Sequence, residues 1–416
     1  MSEKKKFYEM NLGERLKFLQ EQAGLTDEEK AAFGHLLPFE IADRMIENAV
    51  GAISIPVGIA MNFLINGQER LIPMAIEEPS VIAAASKAAK IARAKGGFTA
   101  SATESHMIGQ IQVVSLGDIE RARQDLESNR QQILDASNSK TRSIKAHDLL
   151  IRQVQDESPN DMGNMLVVEI TADARDAMGA NAVNTMCESA AEAIAEISGG
   201  HVVLRILSNY STKRMVKCSA IFDKDELGGP DVVERILYAY ALAYSDIYRA
   251  VTHNKGIMNG IDAVALATGQ DFRAIEAAAH AFACKDGSYR SLTHWSKTGD
   301  GDLQGELELP LAVGITGGVT AVSATARAAI KVTGAKSSKD LAVCMACAGL
   351  AQNLAAIRAL ASEGIQKGHM RLHARNIAMA AGAKGKEVEA VADRISDAGN
   401  ITLDAAKKAL ESLRSA

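Results

Sequence analysis

An α+β fold is predicted by three features of the sequence. Between residues 104 and 213, apolar alternating runs and amphipathic stretches follow one another in the order βαββαβ, which is that of a split-βαβ, ferredoxin-like unit. On either side the chain is helix-rich with long apolar faces, so this unit reads as an insertion into a larger domain made of 1–103 and 214–364. Beyond Gly364 and Gly368 a helical tail, 365–416, follows two glycines four residues apart, a spacing suited to a hinge.

The elements follow in order. "TDEE" at 26–29 is a capping box, with Thr26 at the cap and Glu29 at the reciprocal position. "FLINGQERLIPM" sets Asn66 and Gly67 between two strand-like runs, the pair that a type I′ hairpin turn requires. In "IEEPSVIAAASKAAKIARAKGG", Pro79 suits a first helical turn, small residues continue the helix and Gly96–Gly97 stop it, which puts Glu78 at the helix entrance. The inserted unit reads as strand 106–116, helix 118–137, strands 148–155 and 165–173, helix 181–197 and strand 201–209. After it, 231–256 reads as one long helix running into "THNKGIMNGID", whose asparagines and glycines suggest a loop carrying Lys255. A helix at 270–287, a strand at 301–310 and a long apolar helix at 337–364 complete the large domain, and the last tail helix starts near Thr402.

Composition narrows the function classes. A chain of 416 residues, 47% hydrophobic and 23% charged, can bury more than one core. The net charge is −5 and the basic residues are dispersed, which gives no footprint for nucleic acid. The stretch 309–326 is uncharged but holds one Pro and three Gly, so it reads as strand, turn and helix start rather than a membrane span. "MSEKKKFYEMNLGERL" lacks an apolar core, and the expectation is a cytoplasmic protein. Five cysteines are an odd number, and Cys344 and Cys347 lie in an apolar helical pattern with no second pair, which favours reduced core thiols over a disulfide or zinc.

No GxGxxG follows a strand, and there is no nucleophile elbow, P-loop or HExxH. His369 and His373 are four apart but have no third ligand, so no metal is assigned. What remains is Glu77–Glu78, Lys255, Asp271 and His369, all at the ends of elements. A lysine among backbone groups and carboxylates is either a Schiff-base nucleophile or a cation set where an oxyanion develops, and these residues do not choose between the two.

Taken together, "ENAVG" (47–51), "EEPSVIAAAS" (77–86), "DAMGANAVNTM" (176–186), "THNKGIMNGID" (252–262), "ATGQD" (267–271) and "GHMRLHARN" (368–376) resemble the class II 3-hydroxy-3-methylglutaryl-CoA (HMG-CoA) reductases. The resemblance implies reduction of HMG-CoA to mevalonate and CoA with two reduced nicotinamide cofactors, or the reverse. It also implies a large HMG-CoA-binding domain, an inserted dinucleotide-binding domain, a mobile C-terminal flap and a homodimer with the active site at its interface, with assembly beyond a dimer left open.

Site roles follow from the same resemblance. Lys255 stabilises the oxyanion, Glu78 gives a proton to the nascent alcohol, Asp271 links the two, and His369 protonates the departing CoA thiolate. A helix entrance favours an ionised carboxylate, so Glu78 needs burial or a coupled partner to act as an acid. Ser80, Arg249 and Asn259 are assigned to HMG binding, and His373 to packing or flap support. Asp176, Met178, Gly179 and Asn181, with Asn209, are assigned to the dinucleotide at the start of a helix. Where NADH-specific members carry an aspartate this chain has Thr141, flanked by Lys140, Arg142 and Ser143, which favours NADPH and leaves NADH as an alternative.

Overall fold

The computed structural model describes residues 5–34, 37–362 and 365–415, with the backbone alone for 365–372. Two sheets organise it. A six-stranded sheet has the order β2-β1-β3-β8-β10-β9, built from β1 (Val57–Ile65), β2 (Gln68–Ala75), β3 (Phe98–Ala102), β8 (Met215–Phe222), β9 (Thr293–Lys297) and β10 (Leu303–Pro310). A four-stranded sheet has the order β5-β6-β4-β7, from β4 (His106–Val114), β5 (Lys145–Gln155), β6 (Asn164–Asp173) and β7 (His201–Ser208). All three of its pairings are antiparallel, so in its own numbering the order is 2-3-1-4, as the βαββαβ pattern requires.

Each sheet has a core of its own. The larger one is crossed by an aromatic row, Phe63–Phe98 at 5.5 Å, Phe98–Phe222 at 6.3 Å and Phe222–Trp295 at 5.8 Å between ring centres. Through this core runs the helix Ser338–Ala361, here the rod helix, buried from Leu341 to Leu354 at nearly every position. Among the described residues it is the one helix long and apolar enough to cross a membrane, but 78% of that apolar window is buried inside the protein. Cys344 and Cys347 sit within it as free thiols, and burial pushes the Cys344 thiol up to about 12. The small sheet's core centres on Met107, Ile111, Leu166, Ile170 and Met186, and the tail helices Ile365–Ala380, Lys386–Asp397 and Leu403–Arg414 pack a third around Ala374, Val391 and Leu410.

Local signals were followed where their chemistry is short-range. Thr26 caps Asp27–Ala32 with the reciprocal Glu29 bond, Asn66 and Gly67 turn between β1 and β2 at φ 50° and 75°, and Thr402 caps the last helix. Four readings are corrected. Pro79 lies outside the helix Val81–Arg93, because Ser80 is the cap. The helix 118–137 is two, Ile119–Ser128 and Arg130–Asn138, parting at Asn129. The long helix after the insertion is also two, Pro230–Ser245 and Ile247–Ala267, because Asp246 adopts an extended conformation and its carboxylate accepts the Arg249 amide.

The fourth correction concerns Lys255, which stands in the middle of Ile247–Ala267, here the lysine helix, and not in a loop. Of the polar residues that suggested a loop, Asn254 is a buried pin. The Asn254 amide donates to the Arg290 carbonyl at 2.8 Å and accepts the Leu292 N–H at 2.9 Å. Gly260 allows the rod helix to pass, since a Cβ there would fall 2.7 Å from the Ala348 carbonyl oxygen.

Candidate active site

The lysine helix divides its residues between two faces. His253, Asn254, Ile257, Met258, Gly260 and Ile261 are buried, whereas Arg249, Thr252, Lys255, Gly256 and Asn259 line a cavity of about 490 Å³. The opposite walls are the entrance of Val81–Arg93, with Glu78, Ser80, Ala84 and Lys87, and the last turns of the rod helix from Gln352 to Ser362. Their spacing of three and four residues is the helical repeat that sets one side of each helix against the same space.

At the centre of this cavity the Lys255 ammonium donates to Glu78 Oε2 at 3.2 Å, and the Asn259 amide donates to the same oxygen at 3.3 Å. Ser80 holds Glu78 at the helix mouth in a left-handed conformation, φ 78°, with no capping bond from its side chain. A non-glycine residue there stores strain, which ordinary turns do not retain. Beside the lysine, a Cβ on Gly256 would meet nothing within 4 Å, so this glycine leaves room for a ligand. The Lys255 side chain remains 61% exposed and that of Glu78 34%, so one chain alone does not give the pair the burial that a proton donor requires.

Among the described residues five charged ones line the cavity: Lys87, Arg249, Lys255 and Arg358 are cationic and Glu78 is the single acid. The lining therefore suits an anion, and partial burial lowers the Arg249 pKa. Lys87, Thr252, Gln352 and Arg358 escaped sequence reasoning. Lys87 was within reach, seven residues past Ser80 on the same helix face, but Arg358 becomes a wall residue only through the packing of distant helices.

His253 also borders the cavity, but its hydrogen bonds remove it from acid chemistry. Thr293 Oγ1 donates to Asn353 Oδ1 at 3.0 Å, so against His253 Nε2, at 2.7 Å, it accepts. Nε2 therefore carries the hydrogen, and burial, which pulls the pKa down to about 3, keeps the ring neutral.

The remaining predicted site residues fall in three places. Asp271 is not brought to the pair: it caps the helix Phe272–Phe282, accepting the Ala274 N–H and facing Arg273 at 3.4 Å. The lysine helix alone puts about 18 Å of rise between Lys255 and its own end at Ala267. His369 falls in the helix Ile365–Ala380, but its side chain is outside the described residues, as is Gly364 of the expected hinge. His373 is exposed, so of the two roles expected of it, packing or flap support, packing does not hold.

The dinucleotide candidates gather at one end of the small sheet. Strand register sets the ends of β4, β5 and β6 together at His106, Lys145 and Asp173, and β7 finishes beside them at Ser208. That places the 139–144 loop with exposed Lys140 and Arg142, the 174–179 turn and exposed Asn209 on a common rim, three strand spacings or about 14 Å wide. Thr141 Oγ1 is buried there without a partner. Gly179, φ 94°, begins the helix Ala180–Ser198 with no side-chain cap, which leaves the first amides, including that of exposed Asn181, open to an anion. Asp176 lies deeper, where its carboxylate accepts the Ser338 N–H at the start of the rod helix, and Met178 lends its carbonyl to Arg214.

Comparison with known proteins points to one family. The sequence model of the family described as hydroxymethylglutaryl-coenzyme A reductase matches residues 11–374. The chain is 50% identical over 415 residues to 3-hydroxy-3-methylglutaryl-coenzyme A reductase of Archaeoglobus fulgidus, covering 98% of this chain and 94% of that one. Among solved structures it is similar to the class II enzyme of Streptococcus pneumoniae bound to NADPH in open conformations, with a TM-score of 0.81, 39% identity and coverage of 97% of this chain and 100% of the other. A second structure of the reductase from that organism gives a TM-score of 0.82 at 38% identity, covering 98% and 99%.

Proposed function

Because the chain belongs to the hydroxymethylglutaryl-coenzyme A reductase family, we propose that the cavity around Lys255 and Glu78 is where the thioester is reduced. The protein is an NAD(P)H-dependent oxidoreductase that interconverts HMG-CoA with mevalonate and CoA, the chemistry of the mevalonate route to isoprenoids. The observation that carries the site assignment is the ion pair itself, an ammonium and a carboxylate 3.2 Å apart in a cavity whose other charges, among the described residues, are cationic.

The residues divide the work by charge. The bound nicotinamide supplies hydride, once to the thioester carbon and once to the aldehyde that follows. In each step negative charge builds on a carbonyl oxygen, and Lys255 is the cation set to meet it. As the C–S bond breaks, the electron pair leaves on sulfur and His369 of the closed flap gives that thiolate a proton. Glu78 gives the second proton to the new alkoxide. Arg249 offers a guanidinium fork to the free carboxylate of HMG, with Ser80 and Asn259 beside it.

The cofactor side of the proposal rests on the open start of Ala180–Ser198, with Asp176, Met178, Gly179, Asn181 and Asn209 around it, for the pyrophosphate. Thr141 and Arg142 form the NADPH-favouring side, with NADH as the alternative. The domains are taken as 1–103 with 214–364, 104–213, and 365–416, in keeping with three separate cores. A cytoplasmic homodimer, free to assemble further, completes the reading. We infer its contact face from exposed Val251, Tyr248, Ile247, Leu242 and Tyr238, and assign Asp271 of the partner subunit to the pair because within one chain Asp271 is taken up by capping. A Schiff-base lysine works deprotonated from an apolar pocket; Lys255 instead sits as an ammonium against the Glu78 carboxylate.

The test is turnover of HMG-CoA with NADPH and with NADH by the wild type and Lys255→Ala. The variant should lose about 10²- to 10³-fold or more in kcat while HMG-CoA still binds. Retained turnover would remove Lys255 from the mechanism.

A further inference from the structure

Arg214, the residue before β8, is a buried cation with no part in the reading so far. It is 4% exposed, and its guanidinium donates to the carbonyl oxygens of Ala177 at 3.1 Å and Met178 at 3.2 Å, and to that of Val313. Burial lowers its pKa to about 10 in spite of the neighbouring Asp173 and Asp176. A guanidinium sealed from water and bound by carbonyl dipoles is costly to keep, and all three carbonyls belong to the seam between the two sheets.

The same turn is gripped from its other side. Ile315 and Thr316 donate their N–H groups to the Asp176 carbonyl at 2.8 and 3.3 Å, and a Cβ on Gly314 would fall 2.5 Å from the Met178 nitrogen. Residues 176–178 are therefore fixed by Arg214 at their carbonyls and by 314–316 at their backbone, directly before Gly179 and the open helix start.

We propose that Arg214 is a positioning residue for the dinucleotide: it turns the Ala177 and Met178 carbonyls inward, so that the amides opening the helix Ala180–Ser198 face the pyrophosphate. The inference rests on the reading of 176–181 as the dinucleotide loop. Arg214 touches neither substrate nor cofactor and acts through the turn, with its charge adding long-range attraction for the anion.

The test measures KM for NADPH and for HMG-CoA separately on the full-length chain. Arg214→Met and Gly314→Ala, which disturb the turn from opposite sides, should each raise the NADPH KM by about 10- to 100-fold. The HMG-CoA KM should stay within about two-fold, which also reports a folded large domain. Arg214→Lys puts a more easily neutralised cation in the same buried place, so its NADPH KM should climb from pH 7 to 9 while that of the wild type does not. Should Arg214→Met prove insoluble, Gly314→Ala and Arg214→Lys decide. An unchanged NADPH KM, or equal rises in both KM values, overturns the proposal. Asn181→Asp, exposed at the helix start, separates the two layers of argument. If it too leaves the NADPH KM unchanged, the loop is not the dinucleotide site; if it raises the KM while the Arg214 and Gly314 variants do not, the role of Arg214 alone fails.

Discussion

Lys255 contributes little to the stability of the chain, and that separates a catalytic role from a structural one. An exposed ion pair such as Lys255–Glu78 is worth less than about 1 kcal/mol, so Lys255→Ala should shift the unfolding midpoint in urea only slightly, while its turnover collapses. A large stability loss would mean that the lysine is structural. The cysteines give a second check at this scale. Cys187, Cys218, Cys344 and Cys347 are buried and Cys284 is exposed, so a thiol reagent should modify one cysteine in the native protein and the other four only on unfolding. The identities of Glu78, Ser80, Arg249, Lys255 and Asn259 were legible in the sequence, and the structure brings these five together around one cavity. The setting of Lys255 was not. Asparagine and glycine are weak helix formers taken singly, and the packing that overrules them, Asn254 pinned to 290–292 and Gly260 against Ala348, joins segments tens of residues apart.

At the scale of elements, the site depends on how the lysine helix is clamped. Against the rod helix the fit is close on both sides, because a Cβ on Gly349 would also come within 2.8 Å of Ile261. Gly260→Ala should therefore cost about 1–3 kcal/mol in urea unfolding, the usual penalty of overpacking a core; a neutral result would show that the crossing relaxes freely. On its other side the lysine helix meets Phe272–Phe282 through Asp262 and Glu276. Burial, reinforced by the neighbouring Glu276 carboxyl, pushes the Asp262 carboxyl well up, towards 8. The unfolded chain gives up that proton near pH 4. Between those values folding takes up a proton, so the stability associated with Asp262 is full at low pH and lost as pH rises towards 8. Asp262→Asn removes this dependence, and its melting temperature should gain on the wild type from pH 5 to 8 and level off above. A constant difference across that range would contradict the assignment. Caps and the Asn66–Gly67 turn were readable because their bonds close within a few residues. The breaks at Asn129 and Asp246 were not, because the apolar periodicity runs straight through them.

For the whole molecule, the rod helix is the axis. Its first residue is tied to Asp176 at the small-sheet seam and its last turns wall the cavity around Lys255, a span of about 36 Å. The βαββαβ insertion was legible because each of its elements carries its own period, whereas the seam at Arg214 and the placement of Asp271 depend on contacts between distant segments. Within one chain Asp271 is spent on capping, while Lys255 and Glu78 lie open at the edge of an exposed apolar face. The central claim is that these two surfaces complete one another across a two-fold dimer. Subunit exchange between two inactive variants tests it most directly. Lys255→Ala and Asp271→Ala are mixed, allowed to exchange, and assayed for NADPH oxidation dependent on HMG-CoA. If each site takes its aspartate from the opposite subunit, half the dimers are mixed and each regains one intact site, so activity should return to about a quarter of the wild-type value. If activity stays at the level of the separate variants although mixed dimers have formed, the shared site proposed here is wrong.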